Sequence, residues 1–298
     1  MERILDYVIN EDNTGSTIYD YLKKQNFSSQ NIIELKKMPY SILVNGHWEH
    51  INYRLSYGEK LRIHIKEESS NENILPASLP FPIIYEDEDL VIINKPMDMP
   101  IHPSQNNYTN TLANAAVFHY EIKEKIPFTF RCINRLDRDT TGITILAKNM
   151  YSANLLAAQM QQRHIKRFYL ALVHGSFPSP YGTIRLPIGR KPGSTIERIV
   201  DHERGLPAIT HYYKLKDYHN YSLLALQLET GRTHQIRVHL SHLGYPLLGD
   251  HLYHPSSDHE FITRQALHAG RVIFSHPLTH KKIKITADLP EDMKQLCL

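Results

Sequence analysis

The stretch from residue 134 to 149, NRLDRDTTGITILAKN, joins a charged loop to an apolar run. Asp137 lies between Arg135 and Arg138. Asp139 follows, and Thr140, Thr141 and Gly142 turn the chain into ITILAK, which reads as a strand. Directly downstream, MYSANLLAAQMQQRH (150–164) carries an apolar stripe through Leu155, Ala158 and Met160, the mark of a helix. IKRFYLALVHG (165–175) is again strand-like, with Arg167 and Tyr169 on one face by period two. Further strand candidates are IIYED, LVIINK, SLLALQLE and KIKITA. Hairpin-like and helical connections alternate between them without a repeated βα unit. The expected fold class is therefore α+β, with a mixed, largely antiparallel central sheet flanked by helices.

Outward from this core, residues 1–68 read as a small α+β unit. STIYDYLKKQ (16–25) and SSQNIIELKKM (28–38) are short helices, with Ser16 or Thr17 and Ser28 or Ser29 as N-caps. SILVNG and EKLRIHI are strands, the first ending in the turn dipeptide Asn45-Gly46. Residues 69–82, rich in Ser and Pro, read as a linker, and 83–298 as one large domain. The net charge is +3, and the two cysteines form no disulfide or CxxC pattern. The N-terminus lacks a signal-peptide pattern, and no apolar run approaches the ~18 residues of a membrane span. A cytoplasmic protein is expected.

The chemistry concentrates in three pieces: NRLDRDTTG, IKRFYLALVHG and LETGRTHQIRVHLSHLGYPLLGDHLY (228–253). In the third, Gly231 loosens a turn, Arg232 follows, and Thr233 is a plausible N-cap. Ile236, Leu240 and Leu243 then recur at helical spacing until Gly244 and Pro246. Arg232 would sit just ahead of a helix N-terminus, which favours an anion. Between 131 and 170 seven Lys/Arg face only Asp137 and Asp139, a basic surface that invites RNA. Histidine is abundant, yet the spacing of His234, His239 and His242 is a poor ligand set, and no HExxH occurs. No metal site is expected.

In this order the pieces resemble the RluA-type pseudouridine synthase family, in the branch of C- and D-like synthases that act on the ribosomal large subunit. So do IIYEDEDLVIINKPMDMPIHPS, LPAITHYY (206–213), QALHAGRVIFSHPLT (265–279) and ADLPEDM. Residues 1–68 resemble a degenerate S-four-type RNA-binding module. Gln30 stands where that module has an arginine, and nine Lys/Arg are set against ten Asp/Glu. A packing or spacer role is the alternative for this unit.

The resemblance implies isomerisation of selected uridines in structured RNA, without cofactor or metal, by a protein expected to be a monomer. Ribosomal and transfer RNA are both open as targets. It implies Asp137 as the essential aspartate, Tyr169 as the ring packed on the base, and Arg232 as the basic partner of Asp137. The physics agrees: cleaving a glycosidic bond builds positive charge on the sugar, which an ionised carboxylate stabilises, and a guanidinium favours that ionised form. Arg135, Arg138 and Arg167 are expected to meet RNA, with Arg135 propping the space a flipped uridine leaves. Gln235 and Arg237 are counted with them, although with His239 they equally suit holding the loop by hydrogen bonds. Departures from the family pattern are Asn134 for histidine, Thr141 for serine and Asp98 for glycine. The rival reading is a non-catalytic RNA-binding or ribosome-assembly factor that retains the fold.

Overall fold

The computed structural model describes residues 1–67, 73–105, 107–254 and 262–298. Near the start, KLRIHIK alternates exposed and buried positions, as a strand with one face on a core must. Four antiparallel strands, β1 (Glu2–Val8), β2 (Ile42–Val44), β3 (His47–Trp48) and β4 (Lys60–Lys66), are ordered β1-β4-β2-β3. Helices α1 (Ile18–Lys24) and α2 (Ser29–Lys37) pack on this sheet through Leu22, Ile32 and Leu35. Thr17 and Ser28 cap them by accepting backbone N–H bonds three residues on. Asn45 and Gly46 both adopt positive φ, as a tight hairpin turn demands. Strand β1 was not among the predicted elements; its outer face mixes Glu2 and Asp6 with the exposed Ile4 and Val8, so no apolar alternation marks it.

The larger sheet contains β5 (Ile83–Glu86), β6 (Leu90–Lys95), β7 (Thr141–Ala147), β8 (Lys166–His174), β9 (Tyr181–Arg185), β12 (Ile209–Asp217), β13 (Tyr221–Leu228), β14 (Leu267–Ser275) and β15 (Lys282–Thr286). Their order is β5-β6-β7-β14-β8-β13-β12-β9, and β15 pairs with the far half of β14. A separate ribbon is made by β10 (Ile188–Arg190) and β11 (Arg198–Val200). Among the described residues only β7 and β14 pair in parallel, at His268 and Ala269. The α+β, largely antiparallel expectation describes this sheet. Helices α3 (Leu112–Val117), α4 (Met150–Gln161), α5 (Gln235–His242) and α6 (Glu291–Gln295) complete the large part. No helix among the described residues is long and apolar enough to cross a membrane.

Strand β7 is buried along its whole length, so the loop that feeds it is anchored in the centre of the molecule. Gly142 shows how close the packing is. Its φ is +110°, and a Cβ there would fall 2.4 Å from the Ala269 carbonyl oxygen.

The proposed linker falls partly on residues 69–72, outside the described residues. From 73 on it is docked rather than free: Asn114 donates to the Leu75 carbonyl, and Leu79 and Phe81 pack beside α3. The small and large parts also meet directly. Phe27 stacks on Tyr151 with ring centroids 3.9 Å apart, the Tyr151 hydroxyl donates to the Gln25 carbonyl, and Arg3 forms a two-pronged bond with Asp89.

Candidate active site

The loop 134–140 is built before it is functional. Asn134 donates from Nδ2 to the Ile143 carbonyl and accepts the Ile145 N–H at Oδ1, 2.9 and 2.8 Å. Its amide thus copies a strand's backbone pairing and extends the ladder at the edge of β7. The Arg138 carbonyl accepts from the buried Lys95 ammonium at 2.8 Å and from the Met99 N–H. Arg264, also buried, donates to the Asp139 carbonyl at 3.2 Å and pairs through two bonds with Asp292 of α6. Thr141 bonds His268 at 2.9 Å. Asp98 adopts φ +54°, a conformation glycine and Asp/Asn tolerate best, and lies 3.5 Å from Arg138. Each departure therefore has a structural occupation.

Lys95 and Arg264 thus grip the loop from below, and Asp137 projects above it. Its Oδ2 accepts from Arg237 Nη1 at 3.1 Å; Oδ1 has no partner among the described residues. Arg237 also grips Asp250 with two bonds of 2.8 Å and lies over the Tyr253 ring at 5.0 Å. Burial works against the charge on Arg237, but the Asp250 and Asp137 carboxylates outweigh it and raise its pKa. The expected partner of Asp137, Arg232, is not the one the structure uses. Arg232 is exposed and its Nε donates to the Pro207 carbonyl. The reason is local geometry. His234, not Thr233, holds the cap position of α5, with φ +56°. That left-handed residue turns the preceding segment away from Asp137, while Arg237 lies one turn into α5.

His234 is the second group the sequence did not single out as part of the site. Its Nδ1 is 2.8 Å from the Tyr253 hydroxyl, which already accepts the Arg198 N–H. The Tyr253 proton is therefore free for Nδ1. The neutral ring then carries its hydrogen on Nε2, 3.9 Å from Asp137 Oδ2. Burial lowers the His234 pKa, and the nearby Asp137 opposes this only in part.

Tyr169 lines the same cleft, of about 470 Å³, with Leu136, Ile236 and Leu228. Its hydroxyl has no hydrogen-bond partner among the described residues, and burial raises its pKa. At neutral pH it is a neutral phenol with a free donor. Arg167 reaches the cleft beside it, donates to the Thr230 carbonyl, and keeps a buried Nε without a partner. Arg135 is exposed at the rim.

Two residues counted as RNA contacts are placed otherwise. Gln235 is buried and fully engaged: Oε1 accepts from Thr230 and the Arg232 N–H, and Nε2 donates to the Ile209 carbonyl and Thr210. Arg237 is buried and held by Asp137 and Asp250 through three bonds. Both hold the GRTH turn and the carboxylate rather than present themselves to a strand. His239 is likewise a satisfied core residue, between Thr210 and the Leu186 carbonyl.

One group elsewhere has the residue types of a metal site: Asp87, Asp89 and His276. Its lone pairs are already used. Asp87 accepts from the Tyr85 hydroxyl and two backbone N–H groups, and Asp89 from Arg3, Asn149 and Ser152. His276 Nδ1 accepts the Leu278 and Thr279 N–H, so Nε2 bears the hydrogen and donates to Asp87 at 3.0 Å. This is a hydrogen-bond junction.

Residues 89–242 match the RNA pseudouridylate synthase family. An uncharacterized RNA pseudouridine synthase of Bacillus subtilis, YjbO, is 38% identical over 280 residues, covering 94% of this chain and 98% of the relative. The ribosomal large subunit pseudouridine synthase D of Haemophilus ducreyi is 39% identical over 253 residues, 80% of this chain and 76% of that protein. Among solved structures, human RNA pseudouridylate synthase domain containing 1 superposes with a TM-score of 0.59 at 24% identity. It covers 74% of this chain and 94% of its own, and so bears on the fold alone.

Proposed function

Because the chain belongs to the RNA pseudouridylate synthase family, we propose that it isomerises specific uridines in large-subunit ribosomal RNA, with Asp137 as the catalytic carboxylate. The observation that carries this reading is the state of Asp137: one oxygen held by Arg237, the other open in a cleft beside a tyrosine ring. The reaction breaks the bond from ribose C1′ to uracil N1 and joins C1′ to C5; C5 gives up its proton and N1 gains one, so the product is an isomer. Positive charge builds on the sugar as the first bond breaks, and a fixed carboxylate stabilises it. Asp137 is held in place by Arg237 and, at longer range, faced by the Nε2 hydrogen of His234.

The surroundings favour isomerisation over hydrolysis. Glycoside hydrolases commonly use a second carboxylate to activate water. The other acid lining this cleft, Glu229, is tied to Arg163 and His211, both at 2.7 Å. The detached base is left against Tyr169, whose ring gives a stacking face and whose hydroxyl is a free donor. Arg135 at the rim suits the space a flipped uridine vacates.

The ribosomal target follows the names of relatives such as the Haemophilus ducreyi enzyme, and it carries a cytoplasmic location with it. We read residues 1–68 as an S-four-like RNA-contacting unit, 69–82 as the linker and 83–298 as the catalytic domain, acting as a monomer. The experiment is a pseudouridine map of total RNA from cells with and without the gene, and from cells carrying only Asp137→Asn. One or a few ribosomal sites should vanish in both altered strains. A site restored by Asp137→Asn would remove that residue from its role, and sites lost only from transfer RNA would move the target.

A further inference from the structure

Beside the Asp137 cleft lies a second cavity, of about 380 Å³, and its polar side chains are nearly all arginine. Arg135, Arg190, Arg198, Arg204 and Arg232 line it, and no acid does. Among the described residues none of the five stands in an ion pair at contact distance, although Arg204 feels the charge of Asp201. Elsewhere seven arginines, Arg3, Arg62, Arg131, Arg138, Arg163, Arg237 and Arg264, stand in ion pairs; Arg54, Arg167, Arg185 and Arg271 do not among the described residues, but none of them lines this cavity. Arg198 and Arg232 are pinned only to backbone carbonyls.

The hairpin itself points the same way. In the β10–β11 ribbon Arg190 and Arg198 are directly opposite each other. Like charges in that position destabilise a two-stranded ribbon. The nearby acids leave them uncompensated. Glu197 is committed to Lys191, and Asp201 accepts the backbone N–H of Glu203 and Arg204. Asp201 in that way folds the turn that presents Arg204. Gly205 makes this turn possible, since a Cβ there would fall 2.2 Å from the Asp201 carbonyl. The fold thus gathers five guanidinium groups around one cavity, with Asp201 offsetting Arg204 in part, and a bound anion would relieve their mutual repulsion.

We propose that this arginine pocket binds the phosphodiester backbone of the substrate strand next to the target uridine, independently of base sequence. The proposal rests on the reading of the chain as an RNA-modifying enzyme and adds the place where the strand is held. Continuity is the reason to name a strand rather than a small anion: Arg135, Gly231 and Arg232 line both cavities. A nucleotide entering the first cavity carries its neighbouring phosphate across that shared rim. The planar guanidinium fork matches two phosphate oxygens at once. The hairpin is also wired to the chemistry. The Arg198 N–H bonds the Tyr253 hydroxyl, which bonds His234 beside Asp137. A strand seated on β11 steadies the ring that faces the carboxylate.

The test uses the full chain and an Arg190→Ala/Arg204→Ala double variant, with Arg190→Lys/Arg204→Lys and a remote Lys281→Ala/Lys284→Ala control. Binding of fluorescein-labelled oligouridylate is titrated against salt. The Ala variant should bind about tenfold more weakly, and its log–log salt slope should be shallower by about 0.7 for each phosphate it no longer neutralises. The Lys variant should recover most of the slope, which a collapsed hairpin would not. On large-subunit RNA extracted from the deletion strain, the loss in the Ala variant should fall mainly on KM rather than kcat. Slopes equal to wild type, or an equal loss in the remote control, would overturn the pocket. So would displacement of the oligouridylate by micromolar inorganic phosphate, which would mark a small-anion site. Oligouridylate binding needs no turnover. A wild-type protein that binds it through these arginines yet makes no pseudouridine would sink the enzymatic reading and leave the pocket standing.

Discussion

Arg237 holds two carboxylates at once, and the two hold it. Asp250 is completely buried, so its bidentate bond with Arg237 is the pair that costs most to break. Removing one partner of such a pair costs about 3–5 kcal/mol, because a buried charge is left alone. Arg237→Met is therefore expected to lose stability on that scale in urea unfolding, along with activity. Arg232→Ala is exposed and should shift stability by less than about 0.5 kcal/mol. Equal losses would contradict the assignment of the ion pair. The sequence shows both arginines in GRTHQIR and cannot separate them, since the choice turns on the left-handed backbone at His234. The loop of Asp137 and the strand of Tyr169 were legible from their motifs, and the structure brings the two residues to one cleft. Lys95 and Arg264 were not, because nothing in their neighbourhoods announces that two buried cations meet the backbone of a loop far away.

At the scale of elements, the loop before β7 depends on Lys95 at the end of β6. Burial pulls its pKa down to about 7 from an unfolded value of 10.5, although Asp139 and Asp137 pull the other way. The sign follows directly. Between those two values the unfolded chain binds the proton and the folded one does not, so stability rises with pH across that window. Below pH 7 both states are protonated and the cost is fully present. Lys95→Met should remove the dependence. Urea unfolding from pH 7 to 9.5 should show the wild type gaining up to about 1.4 kcal/mol per pH unit relative to the variant. Parallel profiles would mean that Lys95 stays charged in place. The long apolar strands at the centre were readable from their composition. Strands β9 to β12 were missed: they are short or solvent-facing, and ITHYYKLKD mixes exposed and half-buried positions without clean alternation. Three of the pocket's arginines, Arg190, Arg198 and Arg204, sit in or beside that missed region, so their charges looked like ordinary surface.

Over the whole molecule, the two sheets are joined by side chains from elements that sequence reading had placed in separate units. The Phe27–Tyr151 stack and the Arg3–Asp89 bond cross that boundary. Asp89 in turn belongs to the junction with Asp87 and His276. Calorimetry should therefore show one unfolding transition. Tyr151→Ala removes the ring and the bond to Gln25, and is expected to cost about 3 kcal/mol and to separate two transitions. Two transitions already present in the wild type would mean that the units are independent. A chain can be divided by composition and charge at residues 68 to 82, yet neither property records which surfaces later press together.

Arg264 brings a matter of timing. It holds the loop that offers Asp137, and its own carboxylate partner, Asp292, lies on α6. A ribosome delivers residue 137 long before residue 292. The carboxylate-bearing loop is therefore made early and braced late. Until α6 emerges, Arg264 lacks its counter-charge and the Asp139 carbonyl lacks a secured donor. The brace on the Asp137 loop is therefore complete only once residue 292 has been read out, when nearly all of the sequence described here has been made.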